Sequence, residues 1–186
     1  MLIVIAGLIG AGKSTIAREL SKKLSKKLSK KLSIPLYSID DDKKRVYKTH
    51  PQYEHFLKNH IPFPDETRKK TFDASLKGLR KLAEEHKHAI VEETFHKKIL
   101  RDPFFEEAKK IFGGMILILA KVDDKLVKER LDKREKDEDH MVGYGMYLSF
   151  KKQWEPFEKV DYEFVNEGNF DENMNQLVNF LRDKLD

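Results

Sequence analysis

The amino-acid sequence predicts an α/β fold, a three-layer sandwich in which helices cover both faces of a five-stranded parallel sheet. Short apolar runs alternate with longer segments of helical period along all 186 residues. A glycine-rich turn joins the first apolar run to the first helical segment, as in a strand–loop–helix unit. No change of composition divides the chain, so we expect residues 1–186 to form one domain.

Five apolar runs are predicted strands because they are short and rich in aliphatic residues. They cover residues 2–6, 36–39, 89–91, 115–120 and 162–165. Helical stretches are predicted at residues 13–32, 65–87, 98–112, 123–136, 144–154 and 170–185. Pro35 stops the first helix, Asp65 is the expected cap of the second, and Gly113 and Gly114 end the third.

Composition excludes several classes of function. The chain has no cysteine, which rules out disulfides, thiolate metal sites and cysteine nucleophiles, and fits a cytoplasmic protein. The first apolar run is far too short to span a bilayer, so we expect no membrane contact. His50, His55 and His60 are spaced by five residues, which is not a metal-binding pattern on a helix face.

Residues 21–33, SKKLSKKLSKKLS, repeat one four-residue unit three times. The six lysines of the repeat make the chain basic, because without them its net charge would change from +5 to −1. The repeat begins eight residues after Lys13, so it must lie on the first helix. We interpret it as a tandem expansion, natural or engineered, that extends this helix. A looped-out surplus and a membrane or nucleic-acid contact are the alternatives.

The strongest functional signal is GLIGAGKS, residues 7–14, which matches G-x-x-x-x-G-K-[ST] between a predicted strand and a predicted helix. In such a P loop, glycines let main-chain N–H groups surround phosphate oxygens at the positive end of the helix. Lys13 would reach the β- and γ-phosphates, and the Ser14 hydroxyl would bind Mg²⁺. The candidate nucleotide-binding residues are Gly7, Gly10, Ala11, Gly12, Lys13, Ser14 and Thr15.

Five stretches give the chain a resemblance to the small P-loop kinases over nearly its whole length. They are GLIGAGKST, SIDDDKKR, AIVEETF, KERLDKRE and FKKQWEPFEKVDYEFVNEGN. The resemblance is in particular to the AAA_33-type predicted kinases, which include relatives of gluconate kinase, zeta-toxin-like kinases and seryl-tRNA kinases. It implies strand order 2-3-1-4-5 and transfer of the ATP γ-phosphate to a hydroxyl with Mg²⁺ as cofactor. The polar, charged and glycine-containing stretch at about residues 134–146 is the candidate lid.

The same resemblance assigns roles to acidic residues. Asp40 would approach the acceptor hydroxyl and take its proton, although Asp41 and Asp42 offer two further carboxylates. All three could instead be ordinary acids at the start of a helix. Glu92 would hold Mg²⁺ through water at the Walker B-like position, or could instead touch the acceptor site. Glu93 is expected to be a surface or salt-bridge residue.

Further roles implied by the resemblance fall on basic and loop residues. Arg130 and Arg134 would fold over the phosphates and stabilise charge during transfer, unless they belong only to a solvated helix. Asn166 and Gly168, in the stretch VNEG, would pack against the adenine.

Acceptor specificity should reside in residues 46–70, which follow the acidic run. Arg68, Lys69 and Lys70 could receive a phosphate or an acidic substrate there, but a solvated helix face is the favoured interpretation. We expect a small-molecule acceptor. An RNA terminus or aminoacylated tRNA is the enzymatic alternative, although no basic stripe with interleaved aromatics supports it. A nucleotide-dependent switch with a protein partner is the alternative from another class.

Overall fold

The computed structural model describes residues 1–27, 34–59, 61–134 and 143–185. Five parallel strands form one sheet in the order β2-β3-β1-β4-β5, which confirms the predicted order. The strands are β1 (Leu2–Ala6), β2 (Leu36–Tyr37), β3 (Ala89–Glu93), β4 (Met115–Lys121) and β5 (Tyr162–Val165). Because all five run in the same direction, their carboxyl ends meet at one edge, where ligands bind in sheets of this kind.

Eight helices lie within the described ranges. They are α1 (Lys13–Lys27), α2 (Ile39–Tyr47), α3 (Tyr53–Lys58), α4 (Asp65–Glu85), α5 (Lys98–Phe112), α6 (Asp124–Arg134), α7 (Tyr144–Lys152) and α8 (Phe170–Leu185). The sequence patterns did not predict α2 and α3. Asp65 is the first residue of α4 rather than its cap, and Pro64 precedes it without a side-chain capping bond.

The second strand is shorter than predicted because a helix starts inside the expected range. The Asp41 N–H donates a 3.2 Å hydrogen bond to Ser38 Oγ, which caps the first turn of α2. Ile39 therefore begins α2 instead of ending β2, and its side chain is buried. As a result the acidic run that follows Ile39 lies on the first turn of a helix at the carboxyl edge of the sheet.

The core has two layers because successive residues of β1 face opposite sides of the sheet. Ile3 and Ile5 pack with buried residues of α1 and α8 on one side. Leu2 and Val4 pack with buried residues of α4 and α5 on the other. A parallel sheet covered on both faces accounts for the continuous apolar sequence of β1.

The repeat contributes to this core where the structure describes it. Leu24 is buried, and Ser21 Oγ donates a 2.8 Å hydrogen bond to Ile34 O. The Ile34 N–H in turn donates to Ser25 Oγ at 3.3 Å. The predictions for residues 28–33 of the repeat lie outside the described residues, as do His60 and residues 135–142 of the candidate lid. None of the described helices has the length and apolarity needed to cross a bilayer.

Candidate functional site

The glycine-rich loop after β1 leaves several main-chain donors without a protein acceptor among the described residues. Gly10 and Gly12 have φ angles of +83° and +84°, in the left-handed region that favours glycine. A Cβ atom on Gly12 would overlap the side-chain amide of Asn166. Within the described ranges of the chain, no protein acceptor takes the N–H groups of Gly12, Lys13 and Ser14. Free donors at the start of a helix form a site for an anion.

Lys13 lies within this loop, and its Nζ donates a 3.1 Å hydrogen bond to Leu8 O. Burial lowers the pKa of Lys13, and the carboxylates of Glu92 and Glu93 oppose that change. The ammonium is thus surrounded by protein groups at the end of β3. A phosphate placed on the free N–H groups would supply the negative charge that a partly desolvated ammonium favours.

Ser14 and Glu92 meet at the mouth of the loop. Ser14 Oγ donates a 2.7 Å hydrogen bond to Glu92 Oε1. Glu92 comes into reach because β1 and β3 are neighbours, with Ile5 beside Glu92 in register. One hydroxyl and one carboxylate fit Mg²⁺, which binds through one or two protein oxygens and completes its shell with water and phosphate. Among the described residues, no group of three His, Asp or Glu could hold a metal ion.

Asn166 and Arg130 support the loop from the opposite side. Asn166 Nδ2 donates a 2.8 Å hydrogen bond to Ala11 O, and the main-chain N–H of Asn166 donates to Lys121 O at 2.8 Å. Arg130 Nη2 donates to Asn166 O at 3.0 Å and Nη1 donates to Gly10 O at 3.3 Å. Arg130 of α6 and Asn166, directly after β5, are both predicted site residues. Each donates a hydrogen bond to the loop, and the two are also hydrogen-bonded to each other.

The other predicted residues of the nucleotide side lie around this loop. A Cβ on Gly7 would come within 2.6 Å of Ala120 O, so the loop runs close against β4. The Thr15 N–H donates to Gly12 O at 3.0 Å in the first turn of α1. Gly168 has a φ angle of +66° in the turn after β5. Arg134 ends α6, and its side chain lies outside the described part of the structure.

A chain of charged groups connects the acidic run to the interior. The Asp40 side chain is 64% exposed, and Lys43 Nζ donates to Asp40 Oδ1 at 2.9 Å. Lys43 also forms an ion pair with Glu93, whose side chain is only 4% exposed. Burial alone would raise the pKa of Glu93, but the Lys43 ammonium, the Thr94 N–H and the Arg68 guanidinium together lower it to about 2. Glu93 is thus a salt-bridge residue, as expected, but the surface position expected as the alternative is wrong.

The remaining two carboxylates of the acidic run do not share this position. Asp42 is buried and accepts 2.7 Å hydrogen bonds from Tyr37 Oη and Ser75 Oγ. Asp42 does lie in the first turn of a helix, as the alternative interpretation held, but β2 and α4 enclose it, so it is not solvated. Asp41 is exposed on the first turn of α2. Of the three acids, Asp40 is the one that contacts Lys43.

Arg68 is the residue for which the structure differs most from expectation. It was expected on a solvated helix face, yet only 6% of it is exposed. Its two terminal nitrogens lie 3.0 and 3.1 Å from the ring nitrogens of His96, which is 1% exposed. Burial, together with the adjacent guanidinium, lowers the pKa of His96 to about 3, so the imidazole is neutral at physiological pH. Lys69 and Lys70 are exposed as predicted, and Lys70 pairs with Glu66 at 2.8 Å.

Comparison with known families places this geometry in context. The model of the AAA_18 family, described as an AAA domain, matches residues 3–146, from β1 to the start of α7. The chain belongs to this P-loop kinase family. The finer resemblance to the AAA_33-type kinases stays a prediction. No curated protein matches the chain.

Solved structures share the P-loop kinase fold over almost the full length of the chain. A sugar kinase from Janibacter sp. is 17% identical, with 97% of this chain and 94% of that chain covered and a TM-score of 0.69. A gluconokinase from Sinorhizobium meliloti is 18% identical, with 98% and 95% covered and a TM-score of 0.66. Kti12 from Chaetomium thermophilum, in complex with ADP-AlF3, is 14% identical, with 100% of both chains covered and a TM-score of 0.70.

The sequence patterns of this P-loop kinase did not predict a role for His96 or Lys43. His96 follows β3 after Phe95, whose φ angle of +51° is unusual for a side chain of this size. Phe95 is held in this conformation by ring contacts with Phe72, Phe104 and Phe105. The signal that could have found His96 was positional, because polar residues that closely follow a parallel strand lie at the ligand-binding edge.

Proposed function

We propose that the chain is an ATP-dependent phosphotransferase that moves the γ-phosphate to a hydroxyl group of a small molecule. The observation that carries this proposal is the adjacency of two groups at the carboxyl edge of the sheet. The first is the loop with its free donors and the Ser14–Glu92 pair. The second is Asp40, held by Lys43, which is itself anchored to Glu93 at the end of β3.

On the nucleotide side, the N–H groups of the P loop and the Lys13 ammonium would bind the phosphates of ATP. Ser14 and Glu92 would hold Mg²⁺, directly or through water, and the metal would neutralise charge on the β- and γ-phosphate oxygens. Asn166 and Gly168 would contact the adenine. Ala11, Gly7, Gly10 and Thr15 complete the predicted binding set by shaping the loop rather than by contributing charge.

On the acceptor side, Asp40 would receive the proton of the acceptor hydroxyl as its oxygen bonds to the γ-phosphorus. The bond from that phosphorus to the β,γ-bridging oxygen breaks, and ADP leaves with the electron pair. Lys43 holds the Asp40 carboxylate by a hydrogen bond, which would orient its other oxygen towards the acceptor. Arg130 and Arg134 would stabilise the charge that spreads over the phosphate oxygens during transfer.

Two observations favour a small acceptor over a macromolecule. The solved structures with the same fold include proteins named as a sugar kinase and a gluconokinase. The groups around Lys43 and Glu93 are also enclosed by α2, α4 and β3, which suits a compact ligand more than a polymer.

The test is to incubate the protein with Mg-ATP and a mixed pool of metabolites and small RNAs, and to detect phosphorylated products by mass spectrometry. Lys13→Ala is the inactive control, and Lys22→Ala is the matched control because Lys22 is exposed on the same helix. We expect a phosphorylated metabolite that depends on Lys13. ATP binding without a product would instead support a nucleotide-dependent switch, and a phosphorylated RNA would identify a macromolecular acceptor.

A further inference from the structure

We propose that Arg68 binds an anionic group of the acceptor, so that the substrate is a carboxylate- or phosphate-bearing alcohol rather than a neutral polyol. This inference rests on the proposed phosphotransferase function and specifies its substrate class.

The first argument is that the charge of Arg68 lacks a hydrogen-bonded counter-ion within the described part of the chain. Its carboxylate contact there is Asp65 Oδ1 at 3.8 Å, which is too long for a hydrogen bond. Asp65 already accepts 2.8 and 2.9 Å hydrogen bonds from Lys97 Nζ. A buried cation is costly unless an anion compensates it, so this position favours an anionic ligand.

The second argument concerns His96, the close partner of Arg68. Because its imidazole is neutral, it can accept a hydrogen bond from the guanidinium but cannot neutralise its charge. A carboxylate in place of His96 would have neutralised the charge of the guanidinium and weakened its attraction for an anionic ligand. The neutral partner instead holds the guanidinium in one orientation and preserves its charge for a ligand.

The third argument is that the neighbouring Lys43, unlike Arg68, already has hydrogen-bonded carboxylate partners. Lys43 pairs with both Glu93 and Asp40, and these two carboxylates raise its pKa although burial opposes them. Arg68 also feels the charge of Glu93, but no carboxylate among the described residues is hydrogen-bonded to it. An anion arriving at this part of the site would therefore find its free charged donors at Arg68.

The fourth argument is location. Tyr47 is one helical turn beyond Lys43 on α2, and the nearby Arg68 guanidinium opposes the rise that burial causes in the pKa of Tyr47. Arg68 therefore reaches the helix that also carries Asp40. An acceptor anchored by its anion at Arg68 would extend along this face of α2 towards Asp40 and the P loop.

The fifth argument is the environment of the guanidinium. The centroid of the Phe150 ring of α7 lies 5.5 Å from the Arg68 guanidinium carbon and 4.2 Å from the His96 ring centroid. These neighbours reduce the local dielectric and strengthen an ion pair formed there. The planar fork of arginine also matches a carboxylate or phosphate with two parallel donors.

The binding test uses sulfate as the probe. The protein is first saturated with Mg-ADP to fill the P loop, and sulfate is then titrated by calorimetry into wild type, Arg68→Met and Arg80→Gln. Arg80 is the matched control because it is exposed on the same helix and pairs with Glu107. We expect Arg68→Met to weaken sulfate binding by about tenfold or more, and Arg80→Gln to leave it unchanged. Equal binding by wild type and Arg68→Met would overturn the proposal.

The substrate test compares sugar acids and sugar phosphates with sugar alcohols of the same carbon skeleton. We expect wild type to prefer one of the anionic series and Arg68→Met to lose the preference through KM, with kcat little changed. Arg68→Lys, which keeps the charge but not the fork, should show a smaller loss and guards against misfolding of the methionine variant. Equal kcat/KM for acids and alcohols in wild type would overturn the anion site while leaving the phosphotransferase intact. Sulfate binding that depends on Arg68, without any Lys13-dependent product, would instead count against the phosphotransferase alone.

Discussion

Ser14 Oγ and Glu92 Oε1 are joined by a 2.7 Å hydrogen bond although the two residues are 78 positions apart in the sequence. The contact connects the start of α1 with the carboxyl-terminal half of β3, across the boundary between β1 and β3. The sequence assigned both residues to one metal ion by separate patterns, and the fold brings their oxygens together. The geometry supports a shared role without a third protein ligand.

Replacing Glu92 by glutamine should therefore change the metal dependence of the reaction. The Glu92→Gln variant keeps the size and one oxygen of the side chain but loses its charge. We expect the Mg²⁺ concentration for half-maximal ATP turnover to rise by about tenfold or more. Glu163→Gln is the control, since Glu163 is exposed and pairs with Lys121 at the edge of the sheet. An unchanged Mg²⁺ dependence in Glu92→Gln would remove Glu92 from the metal site.

Gly12 and Gly145 should respond in opposite directions to the same substitution. Gly12→Ala places a Cβ against the Asn166 amide at a φ angle of +84°, so we expect lower stability and loss of nucleotide binding. Gly145 lies in α7, where an added Cβ would meet nothing within 4 Å, so Gly145→Ala should stabilise the protein by about 0.5–1 kcal/mol. Thermal unfolding with and without ADP measures both effects. Retention of the ADP-induced stabilisation in Gly12→Ala would contradict the assigned role of the loop.

The sequence predicted those parts of the fold and site that local patterns determine. The strands and the P loop each depend on a short stretch of sequence, whereas the strand order and the role of Glu92 were implied by the resemblance to small P-loop kinases. The burial of Arg68 could not be predicted in this way, because it requires α4, the segment after β3 and Phe150 of α7 to meet. Three segments far apart in the sequence determine whether this arginine faces solvent, and a run of charged residues alone indicates only an exposed helix.

The burial of Asp42 could not be predicted from local sequence either, because β2 and α4 enclose it only in the folded chain. Asp42 also provides a test of stability. It accepts hydrogen bonds from Tyr37 Oη and Ser75 Oγ and pairs with Arg45, so Asp42→Ala removes three polar contacts and leaves the Tyr37 hydroxyl without this acceptor. We expect the free energy of unfolding to fall by about 2–4 kcal/mol. Asp41→Ala removes an exposed side chain from the same turn and should change it by less than about 0.5 kcal/mol. Urea unfolding at neutral pH measures both variants, and equal losses would contradict the structural role of Asp42.

His96 should make the stability of the protein sensitive to mild acid. Its pKa is about 3 in the folded protein and about 6.5 when unfolded, so below pH 6.5 the unfolded chain binds a proton that the folded protein excludes. This contribution is complete above about pH 6.5 and is lost as the pH falls towards 3. Glu93, with its pKa lowered to about 2, adds an effect only below about pH 4.5.

As the pH falls from about 6.5 to 5, proton binding to His96 in the unfolded chain should by itself lower the free energy of unfolding by about 2 kcal/mol. His96→Gln should flatten the pH dependence in this window. His88, whose pKa is lowered by burial and by the amino terminus, contributes in the same direction, so His88→Gln is the matched comparison. Urea unfolding across the window measures all three proteins. A His96→Gln variant that loses stability with acid as steeply as wild type would show that His96 is protonated in the folded state, and that Arg68 then has no neutral partner.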